Sequence, residues 1–158
     1  MNDGSIARVE RAAAEAGLPI AVKRMGQSTR TAEEAAAQCG CGVDQIVKSL
    51  VFKGEGSGSL ALFLLPGSAR LDLGKAAALF GEPLARAEPR HVRDATGFAI
   101  GGVSPLGHRI AMPVYADRGV LGHGIVWAAA GAHDAVFSAE PRALLDAAKA
   151  IVADLAVD

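Results

Sequence analysis

Gln45-Ile46-Val47-Lys48-Ser49-Leu50-Val51-Phe52, followed by Glu55-Gly56-Ser57-Gly58-Ser59 and then Leu60-Ala61-Leu62-Phe63-Leu64-Leu65 ahead of Pro66-Gly67, is the stretch on which the fold turns. Two apolar runs joined by a flexible glycine and serine connection predict a β-hairpin. In an extended chain the side chains alternate, so Ile46, Lys48, Leu50 and Phe52 share one face and Val47, Ser49 and Val51 share the other. Lys48 therefore stands among apolar neighbours. A buried ammonium is costly unless it meets an anion or reaches water along its stem, so Lys48 either snorkels to the rim or lines a cavity.

Upstream of the hairpin, Ile6, Val9, Ala13 and Ala16 recur at helical spacing, with Ser5 as a cap and Gly17 and Pro19 as the stop, predicting a helix over 5–16. A short strand is expected over 20–24. Thr31-Ala32-Glu33-Glu34 has capping-box spacing and opens an alanine-rich helix that runs to Cys39 and ends at Gly40. Thr31 is read here as the N-cap of that helix. Downstream, Asp72 or a neighbour opens a helix through residues 75–80 that Gly81 closes, residues 84–87 form a weak strand, and Pro89 starts a helix over 90–95. Phe98, Ala99 and Ile100 read as a short buried strand. Further strands are expected over 110–115, 124–129 and 135–138, with a turn or short helix near 117–122. From Pro141 an amphipathic helix is expected, its stripe made by Leu144, Leu145, Ala148, Ile151, Val152 and Leu155. Strands mixed with peripheral helices and hairpin-like connections predict an α/β fold, with a mixed, largely antiparallel sheet or partly closed barrel instead of a doubly wound parallel sheet.

At 158 residues and 51% hydrophobic content the chain is the size of one domain spanning 1–158 with one core. The formal net charge is −1, whereas a protein gripping nucleic acid through phosphates alone is normally basic. Nucleic-acid contact is then local, transient or helped by a partner. Met1-Asn2-Asp3-Gly4 lacks a basic n-region, and no apolar run reaches membrane-spanning length, which predicts a cytoplasmic protein with no membrane contact. Cys39 and Cys41 flank Gly40, which is not zinc or redox spacing, so free thiols and no metal are expected. The four histidines, His91, His108, His123 and His133, show no ligand spacing, and the chain has no Gly-x-Ser-x-Gly elbow and no Walker A loop.

A second stretch, Ala95-Thr96-Gly97-Phe98-Ala99-Ile100-Gly101-Gly102-Val103-Ser104-Pro105-Leu106-Gly107-His108, exposes backbone at Gly101, Gly102 and Gly107, with Pro105 stiffening it. Successive N–H groups there form a nest that suits an oxyanion, a carbonyl oxygen or a phosphate. A glycine-rich β-turn without a ligand is the plain alternative.

Residues 45–52 and 96–108, in this order with a hairpin and helix between them, resemble the YbaK/EbsC family, which is related to the editing domain of bacterial prolyl-tRNA synthetases. The resemblance covers nearly the whole chain. It implies the YbaK/prolyl-tRNA synthetase-associated domain fold and a trans-acting hydrolysis of the ester of mischarged tRNA, chiefly tRNA(Pro) carrying Ala, Cys, Ser or Thr. The family's lysine falls on Lys48 and its Gly-x-x-x-Pro loop on Gly101 through Pro105. Catalytic roles are then expected for Lys48, Gly101 and Gly102, and substrate-binding roles for Thr31, Ile100, Val103, Ser104, Pro105, Ala129 and Gly131. No cofactor is implied. The partners implied are the acceptor end of mischarged tRNA and prolyl-tRNA synthetase, the latter supplying the tRNA selectivity that near-neutral charge leaves weak. The sequence departs from relatives acting on Cys-tRNA(Pro) in two places: Ser28-Thr29-Arg30-Thr31 replaces aromatic residues, and no hydroxyl stands near 129–131. A non-catalytic oligonucleotide- or synthetase-binding module is the competing reading.

Overall fold

The structure, a computed structural model, describes residues 2–158; Met1, part of the N-terminal reading above, lies outside the described residues. In chain order the elements are α1 (Asn2–Glu15), β1 (Lys23–Arg24), α2 (Ala32–Cys39), β2 (Ile46–Gly54), β3 (Leu60–Pro66), α3 (Leu73–Phe80), β4 (Leu84–Arg86), α4 (Pro89–Thr96), β5 (Val114–Asp117), β6 (Val126–Ala129), β7 (Ala135–Ala139), α5 (Pro141–Ala147) and β8 (Ile151–Ala153). One mixed sheet runs β1-β7-β6-β2-β3-β5-β8, and β4 joins it through β2. The β2–β3, β2–β4, β6–β7 and β1–β7 pairs are antiparallel, while β2–β6, β3–β5 and β5–β8 are parallel.

The hairpin of β2 and β3 is the spine of this sheet. Every residue of β3 is buried, and alternation divides them: Leu60, Leu62 and Leu64 enter the larger core, while Ala61, Phe63 and Leu65 enter a second one with Tyr115 and Leu155. Fully burying a leucine or phenylalanine contributes about 1.5–3 kcal/mol, so a strand packed on both faces is a strong anchor.

β2 has a different edge. Along one side it pairs with β3 from Val47 to Lys53. On the other side β6 pairs only with Ile46 and Val47, and β4 only with Phe52, Lys53 and Gly54. The sheet is thus forked, and the edge of β2 from 48 to 51 has no strand beside it. Two cavities open along that gap.

Local chemistry places α2 next to the fork. Thr31 Oγ1 accepts from Glu34 N at 3.1 Å and Glu34 Oε1 accepts from Thr31 N at 3.1 Å, a complete capping box, and Gly40 ends the helix with φ +68°. Thr31→Ala therefore lowers stability by about 0.5–2 kcal/mol. Thr31→Ser, which keeps the acceptor, stays close to the parent in the same denaturant titration.

Three expectations are corrected. Phe98, Ala99 and Ile100 are not a strand, because Gly97 (φ +81°) caps α4 and Thr96 Oγ1 accepts from Phe98 N at 3.0 Å while donating to Val92 O, which turns the chain back at once. Phe98 is buried, but Ile100 is 53% exposed. The last helix is also shorter than its apolar stripe: α5 stops at Ala147, Lys149 takes φ +55°, and Ile151–Ala153 pairs parallel with β5. Buried Asp117 draws the chain across, accepting from Leu155 N at 2.9 Å and Ala156 N at 3.1 Å. The strand expected over 110–115 begins only at Val114, since Arg109 and Ile110 donate their N–H groups to Thr96 and Ala95.

Candidate functional site

Two cavities follow one another along the open edge of β2. The first, of about 60 Å³, is lined by Ile46, Val47, Lys48 and Ser49 from β2, Thr29, Thr31, Ala32 and Ala35 from the segment entering α2, Trp127, Ala128, Ala129 and Val136 from β6 and β7, and Gly101 and Val103. The second, of about 210 Å³, takes Ser49, Leu50, Val51 and Phe52 with Arg86, Ala87, Val92, Ile100, Gly101 and Val103. Ser49, Gly101 and Val103 belong to both, so the 97–107 loop lies across the fork and divides one cleft into a small chamber and a larger apolar one.

The loop is held by its own side chains. Phe98, Val103 and Leu106 are buried in the larger core, and Ser104, fully buried, accepts through Oγ from Leu106 N at 3.2 Å. His108 donates from Nε2 to Ser104 O at 2.7 Å. What the loop leaves open is backbone: Gly102 N donates to Ala99 O at 2.9 Å, whereas the N–H groups of Gly101 and Val103 have no partner among the described residues. Gly101 adopts φ +92°, and a Cβ there would collide with the stem of Arg30.

Of the residues singled out in the sequence, Lys48, Gly101, Thr31, Val103 and Ala129 meet in the small chamber, and Ile100 stands in the larger one. The other four do not line either. Gly102 is buried against the backbone of Ala132, its own N–H spent within the turn. Ser104 is packed under the loop, Pro105 faces a different depression beside Leu106 and His108, and Gly131 (φ +98°) is seated on the backbone of Ser5 and Ile6. At Gly102 and Gly131 close backbone approach leaves no room for a ligand.

Lys48 is half-buried and lines the cavity. It makes no hydrogen bond or ion pair with the described residues. Burial pulls its ammonium below the usual lysine range, the Glu33 carboxylate opposes that shift, and Arg70 adds to it. The free cation is thus held ready for an anionic or strongly polar partner.

Sequence reasoning missed Ser49. Among the described residues its Oγ is the one buried side-chain oxygen without a hydrogen-bond partner, and it lies where the two cavities join. Alternation along the strand set Ser49 on the face opposite Lys48, so the spacing carried no signal for it. Thr29, buried and tied to His133 O through N at 2.6 Å and Oγ1 at 3.1 Å, and Trp127, with Lys23 Nζ 5.1 Å from its ring centre, are further walls.

No carboxylate or imidazole lines the small chamber. Burial, with a smaller effect from Cys41, pushes the Cys39 thiol up to about 11, so it is protonated at neutral pH and unsuited to nucleophilic attack. Among the described residues no group of three His, Cys, Asp or Glu side chains could hold a metal ion, and no helix is long and apolar enough to cross a membrane.

Burial depresses the His108 pKa, the Ser104 carbonyl partly opposes this, and Arg8 reinforces it. A histidine whose folded pKa lies below the unfolded value of about 6.5 contributes stability that is complete above that pH and is lost as pH falls through the folded value. Denaturant midpoints should accordingly fall between neutral pH and pH 5, and His108→Gln should flatten that decline. Parallel pH profiles for both proteins would remove His108 as the titrating group.

The mixed sheet is forked over a cleft lined by Lys48, Gly101 and Val103, and residues 27–147 match the family described as an aminoacyl-tRNA editing domain. The chain belongs to that family. Among solved structures, a candidate trans-editing enzyme for prolyl tRNA synthetase is 50% identical with a TM-score of 0.90, covering 98% of both chains. The uncharacterized protein YwhH of Bacillus subtilis (strain 168) is 33% identical over 117 residues, 74% of each chain. Proline–tRNA ligase of Thermosipho melanesiensis is 34% identical over 94 residues, which is 59% of this chain and 16% of the ligase.

Proposed function

We propose that this protein is a trans-acting deacylase that hydrolyses the ester between tRNA and a wrongly attached small amino acid, with tRNA(Pro) as the acceptor. The observation that carries the reading is the cleft along the open edge of β2, lined by Lys48, Gly101 and Val103, the last two with N–H groups that have no partner among the described residues. The likeness to a segment of proline–tRNA ligase and to the candidate trans-editing enzyme supports the choice of acceptor.

In this mechanism the ester carbonyl lies against the loop amides, which stabilise the negative charge that develops as water adds to the carbonyl carbon. The bond from that carbon to the ribose oxygen then breaks, the ribose oxygen takes a proton and becomes the free terminal hydroxyl, and the amino acid leaves as its carboxylate. Lys48 polarises the aminoacyl end or holds the terminal phosphate. With no side-chain base in the chamber, the attacking water loses its proton to bulk water or a neighbouring ribose hydroxyl, and orientation of an already activated ester supplies much of the rate. A chamber of about 60 Å³ suits a small aminoacyl side chain, while the larger apolar chamber suits the terminal nucleoside. A complex with prolyl-tRNA synthetase would add the tRNA selectivity that a net charge of −1 does not provide.

The test is release of amino acid from tRNA(Pro) charged separately with Ala, Cys, Ser, Thr and Pro. Release of one or more small residues with Pro left intact is the expected result. Binding without release from any of them would leave a non-catalytic module.

A further inference from the structure

The helix α1 lies outside the stretch that matches the family, which begins at residue 27, yet it grips both loops that flank the cleft. Arg8, half-buried, donates from Nε to Gly107 O at 3.2 Å and from Nη2 to Gly97 O at 2.8 Å and Thr96 O at 3.4 Å. One guanidinium therefore ties together the two ends of the 97–107 loop. Its carbon also stands 4.8 Å from the centre of the Phe98 ring, the first buried anchor of that loop.

The neighbouring turn of α1 reinforces the grip. Ser5 Oγ donates to Gly97 O at 3.3 Å. Gly107 and Gly131 are both seated on α1 backbone: a Cβ at Gly107 would lie 3.0 Å from Arg8 O, and one at Gly131 would lie 3.0 Å from Ser5 O. Both have positive φ, +85° and +98°, so the two loops approach the helix as closely as glycine permits.

We infer that Arg8 is a positioning residue of the proposed deacylation: it touches no wall of the cleft, and by closing the base of the 97–107 loop it holds the amides of Gly101 and Val103 at the reacting carbonyl. This rests on the reading of the cleft as a deacylase site. A planar fork with several donors is what a three-carbonyl clasp requires, and a lysine ammonium in its place would not span both ends of the loop.

The experiment compares Arg8→Met and Arg8→Lys with the parent in two readouts: single-turnover deacylation of the mischarged tRNA(Pro) that the parent cleaves, and amide hydrogen exchange followed residue by residue. In Arg8→Met the amides of residues 101–106 should exchange at least tenfold faster while those of β3 keep the parent rate. The cleavage rate at saturating enzyme should fall tenfold or more with little change in half-saturation, and millimolar guanidinium should restore part of it in Arg8→Ala. Arg8→Lys should lie between Met and parent. Unchanged loop exchange would overturn the clasp, and faster exchange with an unchanged cleavage rate would overturn its part in the reaction. An inactive parent would instead refute the deacylase reading and with it the role of Arg8, while the exchange data would still judge the clasp.

Discussion

Replacing Lys48 with alanine is expected to lower the deacylation rate by about two to three orders of magnitude, the loss typical of removing one donor aimed at developing charge in a water-poor site. The same substitution should leave the melting temperature unchanged or raise it. Lys48 is half-buried with no hydrogen-bond or ion-pair partner among the described residues, so the folded protein carries a desolvation cost that the Glu33 carboxylate offsets only in part. Stability given up at one position in return for activity is the signature of a functional group. Lys48→Met, which keeps the stem packed against the cleft wall, separates the charge from the volume. If Met restored the rate, the ammonium would have no part in the chemistry; if Ala instead unfolded the protein, Lys48 would be a packing residue.

Gly101→Ala should be nearly as damaging, for a different reason. At φ +92° a side chain adds about 1–3 kcal/mol of backbone strain, and its Cβ would run into the Arg30 stem. The loop relieves both by moving, and a displacement of about 1 Å at a reacting centre can cost roughly a hundredfold. Most of the loss should appear in the rate at saturation. Combining Gly101→Ala with Arg30→Ala removes the collision and keeps the strain, so partial recovery in the double variant would apportion the two. Full activity in Gly101→Ala alone would mean that the loop amides are not the oxyanion donors.

The hairpin, the capping box at Thr31, the helix opened by Asp72 and the proline start of α4 were all legible, because each rests on local chemistry: alternation, a side-chain acceptor three residues from its donor, a missing N–H where none is needed. The failures share a cause. Ile151 and Val152 continue the apolar spacing of α5, so nothing local separates the helix from the strand that follows; the separation comes from β5 and Asp117, which lie far back in the chain. Phe98 is buried as expected, but as the anchor of a loop whose turn is set by Gly97 and the Thr96 hydroxyl.

At the site, the pairing of Lys48 with Gly101 was readable from two motifs taken together. That Gly102 has already spent its N–H, that Ser49 stands unpartnered between two chambers, and that α1 clasps the loop depend on tertiary approach and leave little trace in spacing. The resemblance that pointed to the right family also placed Ser104, Pro105 and Gly131 among substrate contacts, whereas their place in this fold is beneath or behind the loop.

The central claim is that an acyl ester sits at the fork in the sheet, between Lys48 and the amides of Gly101 and Val103. A crystal structure with a non-hydrolysable 3′-aminoacylamido-adenosine tests it most directly. The amide carbonyl oxygen is expected within hydrogen-bonding distance of the Gly101 or Val103 N–H, with the aminoacyl side chain in the small chamber and the adenosine along 49–52. Density for the analogue elsewhere on the protein, with the fork unchanged, would contradict it.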